Sequence, residues 1–165
     1  MSDTTTFIIK QAIESWNTQL RQFNRVLNEL TDESLMKQIS PNRNRGIYIL
    51  GHMIAVHDRM MPLLGFGEVK YPQLDGQFLK NADDPNAEFP SISELRKCWK
   101  DVNETLAGHY NTLSSEEWLQ KHNAVSAEDF AKEPHRNRLN ILFSRTNHLS
   151  SHYGQIVFLK NKKED

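Results

Sequence analysis

Residues 9–30 read IKQAIESWNTQLRQFNRVLNEL, and the spacing of their apolar side chains decides the fold class. Ile9, Ile13, Trp16, Leu20, Phe23, Leu27 and Leu30 step by four and three in strict alternation. A helix turns once in about 3.6 residues, so these side chains fall on one stripe about six turns long. No useful length of the chain alternates with the period of two that a half-buried strand needs. A stripe of this kind must be covered, and without strands only other helices can cover it.

Three more segments carry the same period. The second runs from about Asn44 to Leu64, with Ile49, Met53, Val56, Met60 and Leu63 on one face, Pro62 in its last turn, and Gly65 and Gly67 as stop signals. The third opens after Pro90, where Ser91 and Glu94 stand in capping-box register, and buries Ile92, Leu95, Trp99, Val102, Leu106 and Leu113. The fourth runs from near Asn137 to about Asn161, with Leu139, Leu142, Leu149, Ile156 and Leu159 facing inward. Two long connections separate the last three segments. One holds Pro72, Gly76, Pro85 and Pro90; in the other, Ser114 with Glu117 and Ser126 with Asp129 can each cap a short helix. Connections of that length suit a bundle with crossovers better than a simple up-down-up-down chain. The expectation is a single all-α domain over residues 1–165, a four-helix bundle with long crossover connections, ending in a frayed charged tail from Lys160 to Asp165.

Composition narrows the function classes. The chain has 165 residues, 38% of them hydrophobic, and no run near the ~20 apolar residues that span a bilayer. Twenty basic against 21 acidic residues give a net charge of -1, which lacks the basic footprint of a nucleic-acid binder. Neither membrane nor nucleic acid is an expected partner. The one cysteine, Cys98, excludes an internal disulfide framework and any zinc site built on several cysteines. The start Met1-Ser2-Asp3-Thr4 is acidic and polar, unlike a signal peptide, so the expected location is the cytoplasm. Glu-x-x-His, His-Glu-x-x-His, phosphate-loop and Gly-x-Ser-x-Gly patterns are all missing.

Seven histidines remain. His148 and His152 stand four apart in the fourth segment, which puts both imidazoles on one helix face. They share that face with Ile141, Arg145, Gln155 and Leu159, and Gly154 beside them would admit another helix. Gln155 is placed to hydrogen-bond a bound water or a ligating imidazole. Seven histidines can produce such a pair by chance, so the spacing alone decides little. His52 lies in the apolar run Ile47-Tyr48-Ile49-Leu50-Gly51-His52-Met53-Ile54 and is the natural third member. Taken alone, each of these is equally readable as a satisfied core histidine. His57, about 140° round the helix from His52, is expected to face solvent or a loop. His109 continues the third seam and reads as a hydrogen-bonded core residue, while His122 and His135 read as surface loop residues. Trp16, Trp99 and Trp118 fit core or loop anchoring, and Cys98 lies off the histidine stripe.

The apolar run around His52, together with His148-Leu149-Ser150-Ser151-His152-Tyr153-Gly154-Gln155, resembles the DinB-like (YfiT-like) superfamily. Helix order and the two long crossovers agree along nearly the whole chain. The His-x-x-x-His-x-Gly-Gln block is the more specific element. The resemblance implies a four-helix bundle that binds a divalent metal through three histidines, here His52, His148 and His152. Zinc or nickel is the first expectation, with iron, manganese or copper as alternatives. Three neutral imidazoles leave a coordination position open, the pattern of a catalytic rather than a structural site. Relatives with known activity include thiol-dependent S-transferases and a mycothiol-dependent isomerase. The implied function is a metal-dependent transferase that activates a low-molecular-weight thiol against a small electrophile, with Gln155 as the catalytic-site polar group. The alternatives are a non-catalytic metal or small-ligand binding protein of a stress response, a metal-dependent hydrolase, and a plain helical interaction module. A homodimer through helix faces is compatible with the fold.

Overall fold

The long seam near the N-terminus becomes α1 (Asp3–Glu29), which buries Ile9, Ala12, Trp16, Phe23, Val26 and Leu27. Ile13 and Leu20 lie at the edge of that stripe and are half-buried. A computed structural model describes residues 3–160; residues 1–2 and 161–165, with most of the tail expected to fray, lie outside it. After α1 come a short α2 (Asp32–Leu35), then α3 (Gly46–Asp58) and α4 (Met60–Leu64). The single second helix expected from the sequence is therefore broken at Arg59. Pro62 accounts for the break: it has no N–H for the carbonyl of Asp58, and its ring crowds that carbonyl. Helix α3 is apolar almost all round and buried at every residue but His52, with Ile49, Leu50, Met53 and Ile54 fully covered. It is the central post of the molecule.

The first long connection is structured. It contains a 3-10 turn at Pro72–Leu74 and α5 (Asp75–Phe78). Buried Arg45 grips Asp83 through Nη2 at 2.6 Å and through Nε at 3.1 Å, and the Tyr48 hydroxyl donates to the Asn81 carbonyl at 2.7 Å. These bonds tie the crossover to the start of α3. Helix α6 (Ile92–Tyr110) opens with the expected capping box, in which the Glu94 N–H donates to Ser91 Oγ and the Ser91 N–H donates to Glu94 Oε2. Its inward seam passes through Tyr110, so His109 is displaced from the core and instead stacks on Phe66, with ring centroids 4.6 Å apart. Short helices α7 (Ser115–Trp118) and α8 (Ala127–Lys132) follow, capped by Ser114 and Ser126, and Trp118 is fully buried.

The last helix, α9 (Arg138–Ile156), is capped by Asn137 and tightens into a 3-10 turn at Val157–Leu159, short of the Asn161 end expected from periodicity. It packs against α1 on one side and α3 on the other, while α6 packs against α3. Chain-adjacent helices are thus not the main neighbours, which is why long crossovers are needed. Among the described residues no strand forms, and the fold is all-α. No helix among them is long and apolar enough to cross a membrane.

Candidate metal centre

Two helices bring three imidazoles together. His52 comes from α3, and His148 and His152 come from consecutive turns of α9. His148 Nε2 lies 3.3 Å from His52 Nε2 and 3.1 Å from His152 Nε2. All three donor atoms fall within 4.8 Å of one another, and each residue is partly exposed. The site therefore sits at the bundle surface, open to a small ligand.

The outer nitrogens explain why the inner ones converge. His52 Nδ1 donates to the Phe78 carbonyl at 2.8 Å. A carbonyl only accepts, so the proton sits on Nδ1 and the lone pair is on Nε2. His152 Nδ1 donates to Gln155 Oε1 at 2.9 Å, which leaves its Nε2 lone pair aimed the same way. One proton on His148 Nε2 can serve only one of these two acceptors, so at least one pair of lone pairs stands face to face. His148 Nδ1 is buried with no partner among the described residues. An ion at the shared focus of the three Nε2 atoms would relieve the apposition, and hydrogen bonds at the far nitrogen are how proteins orient such ligands. These residues fit a divalent cation.

A glycine makes the Phe78 contact possible. A Cβ on Gly51 would lie 2.3 Å from the Phe78 ring, which is fully buried against this turn of α3. The close approach places the Phe78 carbonyl over His52. Tyr48 stacks on the His52 ring at 6.2 Å between centroids and holds it from one turn earlier. Gly154, expected to admit a helix, has open space beside it; Gly51 is the glycine at a close approach.

Burial keeps His148 and His152 neutral. Burial, then the positive charges of His152, His52 and Arg145, pushes His148 down to about 4. Burial and His52 also lower His152, with the Gln155 hydrogen bond opposing. Both are neutral at pH 7, the form that binds metal. No carboxylate contributes to either shift.

Two other histidines depart from expectation. His57 faces neither solvent nor a loop but is fully buried between Trp16 and Trp99, with ring centroids at 4.8 and 4.9 Å. Its Nδ1 donates to Asn103 Oδ1 at 2.8 Å, and burial pushes its pKa down to about 3. Helix α3 is covered at every residue but His52, so it has no solvent face at His57. His122 is buried too, its Nδ1 accepting the Ala124 N–H at 3.2 Å. His135 is exposed as expected. Cys98 is half-buried, its thiol pushed up by burial and by the Asp101 and Glu94 carboxylates against the opposing effect of Tyr71, so it is no ready nucleophile. The Phe78 carbonyl left no signal in the sequence, being a backbone group 26 residues from its partner.

Two concavities bear on access. A depression of about 390 Å3 beside the cluster includes Gln155 in its wall, with Ile39, Ser40, Arg43 and Phe158. A larger groove of about 450 Å3 involves Leu20, Leu27, Arg96 and Trp99 on α1 and α6; none of the three histidines lines either concavity, and only the first reaches the cluster, through Gln155 and its bond to His152. Chemistry, not size, selects the first.

Comparison with curated proteins finds no match. Among solved structures, a conserved protein from Enterococcus faecalis superposes with a TM-score of 0.64 at 13% identity, covering 91% of this chain and 93% of that one. At that identity the likeness concerns the fold. The sequence matches the DinB family over residues 1–160. On this match, carried by an all-α fold with paired histidines in its last long helix, the chain belongs to the DinB family.

Proposed function

We propose that this protein binds one divalent cation through Nε2 of His52, His148 and His152, and that it is a transferase acting on a low-molecular-weight thiol and a small electrophile. The observation that carries the reading is the convergence of three Nε2 atoms whose lone-pair direction is fixed at two of them by the Phe78 carbonyl and Gln155. A bound dication supplies Lewis acidity at its open position, enough to keep a thiol as thiolate at neutral pH. A ligand set of His52, His148 and His152 brings no proton-accepting carboxylate, which favours stabilising a thiolate over activating water by a general base. Gln155 holds His152 in its ligating tautomer and is a positioning residue. Ile39 and Phe158 offer apolar wall for the organic part of an electrophile in the depression beside Gln155.

Protein purified without a histidine tag is to be assayed for metal content, then for consumption of a chlorinated aromatic, an epoxide and a maleyl-type acid by a panel of thiols. Turnover that disappears on chelation and in His52→Ala supports the transferase. Full metal loading with no thiol reacting above background leaves a metal-binding protein instead.

A further inference from the structure

Arg145 stands one turn before His148 on the face of α9 that carries both histidines and Gln155. It is half-buried, and its Nε is wholly covered without a hydrogen-bond partner. The other arginines that are not exposed each end on oxygen: Arg45 on Asp83, Arg96 on the Leu27 and Leu30 carbonyls, Arg136 on Glu133, and Arg138 on the Glu117 carbonyl. Arg145 alone among these has no ion pair or hydrogen bond with a described residue. The Nε–H of Arg145 has lost water without gaining an acceptor. Burial accordingly lowers its pKa, with no carboxylate opposing.

Its surroundings offer no negative charge: the three imidazoles bond only to one another, to the Phe78 carbonyl and to Gln155, and no carboxylate joins them among the described residues. A dication among the histidines would add to an uncompensated guanidinium one turn away. Such a field favours an anionic ligand, and the guanidinium fork matches a carboxylate's two oxygens.

We propose that Arg145 is a carboxylate-binding residue, and that the small molecule entering this centre carries a carboxylate which Arg145 grips while the rest of the molecule faces the three imidazoles. This deepens the transferase reading and rests on it for the role of the histidines, but the carboxylate grip stands on Arg145 alone. Positions i and i+3 of a helix hold their Cβ atoms about 5–6 Å apart, so a short-chain acid spans the two groups.

The test is NMR of the arginine Nε–H resonances in the full chain, with Arg145 assigned by its loss in Arg145→Gln. Glutarate and its neutral diamide are titrated into zinc-loaded and metal-free protein. Glutarate is expected to move the Arg145 resonance saturably, and the diamide to leave it in place. Arg145→Gln is expected to weaken glutarate binding at least tenfold with zinc content and melting unchanged. An unmoved resonance, or equal glutarate affinity in wild type and variant, overturns the proposal even if zinc binds. A resonance that moves in a protein unable to hold zinc leaves the carboxylate site standing and removes the transferase reading.

Discussion

His57→Asn isolates a single buried proton. His57 is fully buried with a pKa of about 3, against an ordinary value near 6.5 in the unfolded chain. A depressed histidine binds fewer protons folded than unfolded, so acid stabilises the unfolded state. The contribution is complete above pH 6.5, falls as pH drops, and stops changing below about pH 3. At about 1.4 kcal/mol per unit, this group removes about 2 kcal/mol between pH 6.5 and pH 5. The full shift is worth about 5 kcal/mol, comparable to the entire stability of many domains. Asparagine keeps a donor near the Nδ1 position for Asn103 but loses the ring between Trp16 and Trp99. At pH 7.5 the variant should therefore be less stable by about 2–4 kcal/mol. Urea denaturation with chelator present, at pH 7.5, 6 and 5, reads the comparison. The gap between the two proteins should narrow by about 2 kcal/mol from pH 7.5 to pH 5. His148 and His152 titrate in both proteins and cancel. A gap that stays constant across that range refutes the assignment of the acid-sensitive proton to His57.

Metal analysis should find one zinc per chain in wild type and in His135→Ala, and none in His148→Ala or His152→Ala; equal loss in the exposed control would remove the site. In Gly51→Ala the new Cβ stands about 1 Å inside ordinary contact with Phe78, so the Phe78 carbonyl must leave His52 and zinc affinity should fall about 10–100-fold with helix content kept. An unchanged affinity there would mean that the carbonyl does not orient the ligand. Gln155→Ala should weaken zinc binding about tenfold or more, and Gln155→Glu should strengthen it, as calorimetry can read. Ser91→Ala breaks a cap far from the cluster in sequence and should cost about 1 kcal/mol in urea denaturation while leaving zinc affinity unchanged.

Where periodicity pointed to one buried face, the reading transferred to the structure: Trp16, Phe23 and Leu27 of α1 lie where their spacing puts them. It failed where a helix is covered almost all round. The angle from His52 points His57 at solvent only if the helix has a solvent face, yet residues 47–56 are apolar almost all round, which is itself the signature of an enclosed helix. Pro62 was visible as a terminator, but its effect reaches back four residues and splits α3 from α4. The spacing of His148 and His152 is a local property and was legible. The pairing with His52 depends on a crossover topology that periodicity does not encode, and only the family resemblance supplied it. The groups that orient the imidazoles divide the same way: Gln155 was near in sequence, whereas the Phe78 carbonyl has no residue signature.

His52 and His148 lie 96 positions apart in the chain yet within one hydrogen-bond length in space. A ligand gripping both at once is a reversible cross-link, closing nearly three-fifths of the polypeptide into a ring. In a disulfide, a loop of that size removes unfolded-chain entropy worth about 4–5 kcal/mol. A removable staple acts on the same entropy only while it stays fastened, and an unfolding chain that keeps hold of it unravels as a loop with two tails rather than as a free thread. Denaturation slopes would then differ with and without chelator even at equal starting structure, because the two unfolded ensembles expose different amounts of surface.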